Sequence, residues 1–199
     1  MNICVFASGT GSNFSAILKA RKKGIIKSNI SLLITNNSNC GAVDIALKNN
    51  VNVCHISRKK FPDLSEDEYT GLFIDKLKFY SIDLIVLAGY MKLIHPQIIR
   101  TFRNRILNIH PALLPSFGGT GMYGINVHKA VLESGVKVSG LTVHFVDENY
   151  DKGRIIFQKA VDVPEGIDEY QLQKKILKYE HKYYPLIIKH IEENIIKIG

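Results

Sequence analysis

The residues best suited to chemistry stand in the motif Asn108-Ile109-His110-Pro111, which directly follows an apolar run. Alternation along an extended backbone places Asn108 and His110 on the same side of the chain. An asparagine can donate an amide N–H to a developing oxyanion, and a histidine can exchange a proton near neutral pH. The motif therefore predicts a donor and a titratable base facing one ligand, although a single histidine after a strand is about as often structural.

A carboxylate close to His110 would favour the charged imidazole and raise its pKa. The candidates are Asp147, Glu148 and Asp151, in the turn-rich segment 147–153 between two apolar runs. Loops rich in Asp and Gly are commonly no more than hairpin turns, so the residues alone leave this choice open.

The segment Ser8-Gly9-Thr10-Gly11-Ser12-Asn13 lies between a predicted strand and a predicted helix. Glycines allow a tight turn, and the N–H groups that open a helix converge on an anion. A dinucleotide fingerprint would need a third glycine where Phe14 stands, and a Walker loop would need a Gly-Lys-Ser/Thr ending. The segment thus predicts a monophosphate site, with a plain turn in which Ser12 or Asn13 caps the helix as the alternative.

These motifs need a scaffold in which several strands end at one edge. In the first half of the chain, β-branched apolar runs alternate with segments of helical periodicity, which predicts parallel strands with helical crossovers. Ligands in such sheets bind at the carboxyl ends of the strands. The predicted strands are 2–7, 30–35, 51–56 and 82–88, and the helices between them are 13–22, 41–48 and 65–79.

The sequence after residue 100 predicts a different arrangement of strands and helices. Strand 106–109 leads into a loop rich in proline and glycine, and strands 140–146 and 154–161 are joined by a turn. Helices are expected near 127–134 and over 168–196, the latter bent at Pro185. The fold class is α/β, an open and mostly parallel twisted sheet with helices on both faces. We expect one domain over 1–199, made of a phosphate-binding half (1–100) and a catalytic half (101–199).

The composition is that of a soluble globular protein, with 46% hydrophobic and 22% charged residues among 199. The net charge of +8 arises from scattered lysines, many of them in 173–197 at spacings typical of a solvated helix face. We therefore expect anionic small-molecule substrates, without a nucleic-acid or membrane partner. Cys4, Cys40 and Cys54 form neither a disulfide framework nor a zinc motif, which indicates a cytoplasmic protein.

Taken together, the motifs resemble the phosphoribosylglycinamide formyltransferases, the folate-dependent enzymes of purine biosynthesis. The similarity runs from SGTGSN through LAGYMKLI, NIHPALLPSFGG and VHFVDENYDKG to the EHKYYP segment at 180–185, and so covers essentially the whole chain. The Asn-x-His-Pro block with its Leu-Leu-Pro is specific to the wider 10-formyltetrahydrofolate transferases and hydrolases. Within that wider group, the N-terminal SGTGSN loop favours the phosphoribosylglycinamide formyltransferases. The resemblance implies a Rossmann-like formyltransferase fold with a long C-terminal helix.

The resemblance also implies a role for particular residues. Catalysis would rest on Asn108, His110 and Asp151. The phosphate and ribosylglycinamide would bind at Gly11, Ser12, Asn13 and Glu180, and the folate at Met91, Lys92, Leu93, Ile94, Asn108, Asp147 and Asp151. By themselves, Met91 and Leu93 could equally be core residues, and Glu180 could be part of an exposed ion pair worth less than about 1 kcal/mol.

The implied reaction transfers the formyl group of 10-formyltetrahydrofolate, a co-substrate, to the amine of N1-(5-phospho-D-ribosyl)glycinamide in de novo purine biosynthesis. Asn108 and protonated His110 would stabilise the oxyanion, Asp151 would keep the imidazole charged, and no metal is expected. A 10-formyltetrahydrofolate hydrolase, with water as acceptor, is the alternative. A monomer or homodimer is expected. Glu66 stands where many relatives carry a folate-contacting Arg, and loop 118–124 is longer than in many of them.

Overall fold

Seven strands form one sheet in the computed structural model, which describes residues 1–198. The order across the sheet is β3-β2-β1-β4-β5-β6-β7. The strands are β1 (Asn2–Phe6), β2 (Asn29–Thr35), β3 (Asn52–His55), β4 (Leu84–Leu87), β5 (Ile106–His110), β6 (Val138–Phe145) and β7 (Ile155–Asp162). The helices are α1 (Ser12–Lys22), α2 (Gly41–Lys48), α3 (Glu66–Phe79), α4 (Pro96–Thr101), α5 (Ile125–Glu133) and α6 (Glu169–Glu192).

The strands from β3 to β5 are all parallel, whereas β6 pairs antiparallel with both β5 and β7. Strand order reverses between β1 and β4, because the chain first builds outward to β3 and then returns to the other side of β1. Ligands of open α/β sheets bind at this reversal, beyond the carboxyl ends of the strands. The mostly parallel sheet with antiparallel C-terminal strands confirms the fold expected from the sequence.

Two hydrophobic cores lie on opposite faces of the sheet, because alternate residues of each buried strand point to opposite sides. Ile3 and Val5 pack with residues of α1, α2, α5 and α6. Cys4 and Phe6 pack on the other face with residues of α3 and α4. Buried on both faces, the central strands are accordingly apolar along their whole length.

The helix ends follow from local sequence signals. Ser65 and Glu68 form a reciprocal capping box at the start of α3, and Asp168 and Gln171 form another at the start of α6. Pro185 lies inside the 24-residue α6 and does not end it. Short helix α4 follows a cap by His95 and was not expected from periodicity, since it spans only six residues. No helix within residues 1–198 combines the length and apolarity needed to span a membrane.

Candidate active site

Asn108 and His110 lie at the end of β5 and both approach Asp151. Their spacing predicted the shared side, whereas the choice of Asp151 among the acidic residues came from the family resemblance. The Asn108 Nδ2 donates to Asp151 Oδ1 at 3.4 Å, and His110 Nδ1 lies 3.6 Å from Asp151 Oδ2. The two carboxylate oxygens of Asp151 thus face different side chains, Oδ1 facing Asn108 and Oδ2 facing His110. His110 is buried, and its Nε2–H donates to the Phe117 carbonyl at 2.8 Å.

Asp151 is held on the β6–β7 connection by an unusual backbone. Its φ is 55°, a left-handed conformation that Asp tolerates better than most residues. Its Oδ2 also accepts the Gly119 N–H at 3.0 Å. A Cβ at Gly118 would lie 2.5 Å from Leu114 Cδ2 and 3.2 Å from Asp151 Cβ, so a side chain there would require Leu114 to move and would crowd the carboxylate. The glycine-rich loop then passes Met91, whose Cε would be 3.8 Å from a Cβ at Gly124.

His144 joins this group, and the sequence analysis did not assign it. It lies on β6 directly opposite Asn108 in the antiparallel register. Its Nε2 is 3.1 Å from Asn108 Nδ2 and 3.6 Å from Asp151 Oδ1, while its Nδ1–H donates to the Phe145 carbonyl at 2.8 Å. The antiparallel pairing of the VHFV segment with the NIH segment was the signal that could have revealed it.

The expected rise in the His110 pKa is wrong. Burial lowers the pKa of His110, and this effect outweighs the opposing attraction of Asp151. The pKa of Asp151 is lowered, because hydrogen bonds from His144 and Gly119 and attraction to His110 together exceed the cost of its burial. The carboxylate is therefore firmly ionised, whereas His110 titrates below its ordinary value of 6.5.

Two polar side chains of β6 and β7 hold the turn that follows His110. Thr142 accepts the Leu114 N–H at 3.0 Å and donates to the Ala112 carbonyl at 2.7 Å. Gln158 Nε2 donates to the Leu114 carbonyl at 2.9 Å. Three backbone groups of this turn, the Leu114 N–H and the Ala112 and Leu114 carbonyls, are thus bound to side chains of the neighbouring antiparallel strands, which holds the turn against β6 and β7.

The glycine loop forms the start of α1 at the strand-order reversal. Gly11 is the N-cap with φ 76°, and no side chain caps the helix. A Cβ at Gly11 would lie 2.8 Å from Ala42 Cα, so the close approach of α1 to α2 also requires glycine. The alternative in which Ser12 or Asn13 caps the helix is wrong. With no acidic residue in its first turn, α1 leaves its N-terminal N–H groups for an anion.

Glu180 contacts this same helix from α6. Asn13 Nδ2 donates to Glu180 Oε2 at 2.6 Å, and Glu180 is only 7% exposed. The interpretation of Glu180 as part of an exposed ion pair is therefore wrong. Burial raises the pKa of Glu180 to about 7, despite the opposing hydrogen bond from Asn13. Asn13 Oδ1 is buried and has no hydrogen-bond partner among the described residues, which leaves a polar atom beside the carboxylate for a ligand.

The predicted folate segment lies just after β4. Met91 and Leu93 are each 52% exposed, so core packing does not explain them, whereas Ile94 packs into the core beside α4. Lys92, Leu93 and Ile94 line a cleft of about 920 Å³ at the carboxyl ends of β2, β3 and β4. Asp147 lies apart from the cleft in its own turn, where its Oδ1 accepts the Asn149 N–H at 2.9 Å.

A basic rim of Arg58, Lys59 and Lys60 borders the same cleft. Arg58 lies over the Tyr69 ring, with its Cζ 4.0 Å from the ring centroid, and forms an ion pair with Glu66. The negative charge of Glu66 is thus paired with the positive charge of Arg58, eight positions earlier in the chain. Within residues 1–198, no group of three or more His, Cys, Asp or Glu is arranged to hold a metal ion.

Comparison with known proteins matches this chain to a single family. The formyl transferase family model covers residues 1–188. Phosphoribosylglycinamide formyltransferase of Bacillus subtilis is 36% identical over 94% of this chain and 92% of its own length. The chloroplastic phosphoribosylglycinamide formyltransferase of Arabidopsis thaliana is 45% identical over 98% of this chain. The chain spans 66% of that relative and 62% of the one from Vigna unguiculata.

The fold agrees with solved structures of the same enzymes. Glycinamide ribonucleotide transformylase 1 from Symbiobacterium toebii superposes with a TM-score of 0.91 at 37% identity, covering 100% of this chain and 91% of that one. Phosphoribosylglycinamide formyltransferase from Bacillus halodurans gives 0.88 at 36% identity. The chain belongs to the formyl transferase family, among the phosphoribosylglycinamide formyltransferases.

Proposed function

We propose that this protein transfers the formyl group of 10-formyltetrahydrofolate to the amine of N1-(5-phospho-D-ribosyl)glycinamide. The observation that carries the proposal is the convergence of Asn108, His110 and Asp151 at the end of β5. Amide and imidazole donors beside a fixed carboxylate suit the stabilisation of an oxyanion during acyl transfer. The family to which the chain belongs agrees with this chemistry.

In the proposed reaction the amine nitrogen attacks the formyl carbon, and the carbonyl oxygen becomes an oxyanion. Asn108 and the His110 Nε2–H would donate to that oxygen, which would replace the Phe117 carbonyl as the acceptor of Nε2. As the carbon–nitrogen bond to the folate breaks, the amine loses one proton and the folate nitrogen gains one. His110 is suited to carry that proton, because its pKa is below 6.5 while Asp151 stabilises its charged form.

The nucleotide would bind along α1. Its phosphate would accept the N–H groups of Ser12 and Asn13, which follow the left-handed Gly11 and have no side-chain cap. Glu180 would accept the amine end, and the nearby Asn13 Oδ1 offers a second acceptor. A carboxyl group with a pKa of about 7 ionises readily when a cationic group approaches.

The folate co-substrate fits the cleft beside β4 on chemical grounds. Its aromatic rings match a lining that includes Phe73, Tyr69 and Tyr90, and its carboxylate tail matches the basic rim at 58–60. We propose contacts with Met91, Lys92, Leu93 and Ile94, and with Asp147 in the connection between β6 and β7. Glu66 stands where many relatives carry a folate-contacting Arg. Arg58, which lies beside Glu66, would supply the positive charge toward the folate in its place.

The deciding experiment incubates the protein with 10-formyltetrahydrofolate, with and without the ribonucleotide, and follows loss of the formyl donor. Donor loss that depends on the ribonucleotide, with formylated ribonucleotide as product, is the expected result. Donor loss in water alone would identify a hydrolase and overturn the proposal. Asp151→Asn, which leaves the backbone intact, serves as the matched inactive control.

We further propose that residues 1–199 act as one catalytic unit, in which the 1–100 half supplies the phosphate loop and the 101–199 half the catalytic group. The Asn13–Glu180 contact between the two halves supports this proposal. Cytoplasmic location and a monomeric or homodimeric state remain proposals from the sequence, and the plant relatives carry chloroplastic names. Cell fractionation and light scattering after gel filtration would test them.

A further inference from the structure

Loop 118–124 runs between the carboxylate of Asp151 and the segment that follows β4. At its start, the Gly119 N–H donates to Asp151 Oδ2 at 3.0 Å. At its end, a Cβ on Gly124 would lie 3.8 Å from Met91 Cε. The loop thus connects the proposed catalytic carboxylate with a residue proposed to contact the folate.

Hydrogen bonds within the loop hold its backbone in one path. The Gly119 carbonyl accepts the Met122 N–H at 3.1 Å, and the Gly121 carbonyl accepts the Tyr123 N–H at 3.1 Å. Asn126, on the first turn of α5, donates from its backbone N–H to the Tyr123 carbonyl at 3.2 Å and from Nδ2 to the Gly121 carbonyl at 3.4 Å. The position of Tyr123 is therefore fixed by the backbone on both sides of it.

The Tyr123 side chain is 53% exposed in this fixed loop. A single exposed aromatic residue is common on protein surfaces, but Tyr123 directly precedes Gly124, which lies against Met91. Consecutive Cα atoms are only about 3.8 Å apart, so the Tyr123 ring and the Met91 side chain can contact the same ligand. Both side chains are more than half exposed and so have surface free for that contact.

We propose that Tyr123 contacts an aromatic ring of the folate co-substrate and so helps the enzyme to select its formyl donor. The proposal rests on the formyl-transfer function proposed above. Aromatic pairs gain binding energy from stacked or edge-to-face contact, and a tyrosine loses little conformational freedom on binding. The ribonucleotide substrate has no aromatic ring, so a contact through the Tyr123 ring should affect the two substrates differently.

The kinetic test removes the ring and then restores it without its hydroxyl. Tyr123→Ala should raise KM for 10-formyltetrahydrofolate by about 3-fold to 10-fold, because one aromatic contact is lost. KM for the ribonucleotide, kcat and the melting temperature should change little, since the side chain is exposed. Tyr123→Phe keeps the ring and should retain a donor KM within about 2-fold of the wild type.

Tyr170→Ala is the matched control, because Tyr170 is also an exposed tyrosine but lies on the first turn of α6. It should leave both KM values unchanged. An unchanged donor KM in Tyr123→Ala would overturn the proposal. An equal rise in both KM values would also overturn it, because that result would show a general support of the site by the loop.

A binding measurement makes the test independent of activity. The sequence contains no tryptophan, so Tyr123→Trp would introduce the sole indole of the protein. Its emission should be quenched when 10-formyltetrahydrofolate is added without the ribonucleotide. Phe79→Trp, at the exposed end of α3 shortly before β4 begins, places an indole near the amino ends of the strands. It should show only the loss of light that absorption by the folate causes.

Equal emission changes in the two tryptophan variants at saturating donor would overturn the proposal. Weaker donor binding by Tyr123→Trp with a native melting temperature would support it, because the larger indole would then meet the ligand. A wild-type protein that binds the donor but yields no formylated ribonucleotide would contradict the proposed function alone. Normal transfer with an unchanged donor KM in Tyr123→Ala would contradict the tyrosine contact alone.

Discussion

Asn13 and Glu180 are joined by a hydrogen bond of 2.6 Å between Asn13 Nδ2 and Glu180 Oε2, although 167 positions separate them in the chain. The bond connects the first helix to the last beside the strand-order reversal. Both residues are buried, so the carboxyl group carries a large cost of ionisation. If Glu180 binds the substrate amine as proposed, its ionised form is favourable for that binding and unfavourable for the stability of the fold.

Glu180→Gln should therefore stabilise the protein at alkaline pH. Between the ordinary carboxyl pKa of 4.5 and the folded value of about 7, the folded chain holds a proton that the unfolded chain releases. Wild-type stability is thus complete below pH 4.5 and falls by about 3 kcal/mol as pH rises through 7. The variant should lack this decrease in urea unfolding, while its KM for the ribonucleotide rises by about 10-fold or more. Glu193→Gln, at the exposed end of α6, should change neither quantity.

Asp151→Asn should lower the pKa of His110 further. Burial already lowers it, and the carboxylate 3.6 Å away is the main opposing influence. Stability linked to a lowered histidine pKa is present above about pH 6.5 and is lost as pH falls through the folded value. The loss of stability on acidification should therefore occur at a lower pH in the Asp151→Asn variant than in the wild type. NMR titration of the His110 ring measures both midpoints, and equal midpoints would disprove the electrostatic pairing.

Asn108→Ala and His110→Ala should each reduce kcat by about 100-fold to 1000-fold, because each removes a donor to the same developing charge. The double variant should lose less than the product of the two single losses. Steady-state kinetics with saturating donor measures all three. Fully multiplicative losses would mean that the two side chains act on different steps.

Ser12→Asp should impair nucleotide binding without harming the fold. The N-terminus of α1 has no acidic residue, so a carboxylate there gains about 0.3–1 kcal/mol from the helix dipole. The same charge would repel a phosphate, and KM for the ribonucleotide should rise at least about 10-fold, less at high salt. Ser12→Ala keeps the backbone N–H and should retain a KM close to that of the wild type. An unaltered KM for Ser12→Asp at low salt would count against the phosphate site.

Tyr184→Phe should destabilise the sheet at its centre. The buried Tyr184 hydroxyl lies 2.9 Å from the Leu87 carbonyl and 3.2 Å from the Leu107 carbonyl, and so links β4 and β5 to α6. Loss of this donor should cost about 1–3 kcal/mol in urea unfolding. Tyr183→Phe, on the neighbouring position of α6, should cost less than about 0.5 kcal/mol. Equal effects of the two variants would assign no special role to the Tyr184 hydroxyl.

Local patterns were enough to predict most elements of the fold and the shared side of Asn108 and His110. Periodicity identifies strands and helices because each buried face repeats along the chain. The pKa of His110 could not be predicted in this way, because it depends on burial by segments that are distant in sequence. The alternative of an exposed ion pair at Glu180 is wrong for the same reason, since a helical pattern does not reveal that α1 covers this position. His144 required the β5–β6 register, which only the assembled sheet defines.

The position of α6 at the end of the chain has a consequence for synthesis on the ribosome. Ile3 and Val5 belong to the same core as Tyr184 and Ile188, so this face of the first strand is only partly covered until α6 emerges. At typical elongation rates of about 5–20 residues per second, that interval is about 10–40 s. Glu180 lies on the same helix, so a nascent chain acquires the carboxylate proposed to bind the amine only when this core closes. Part of the apolar face therefore stays exposed to solvent until translation reaches α6.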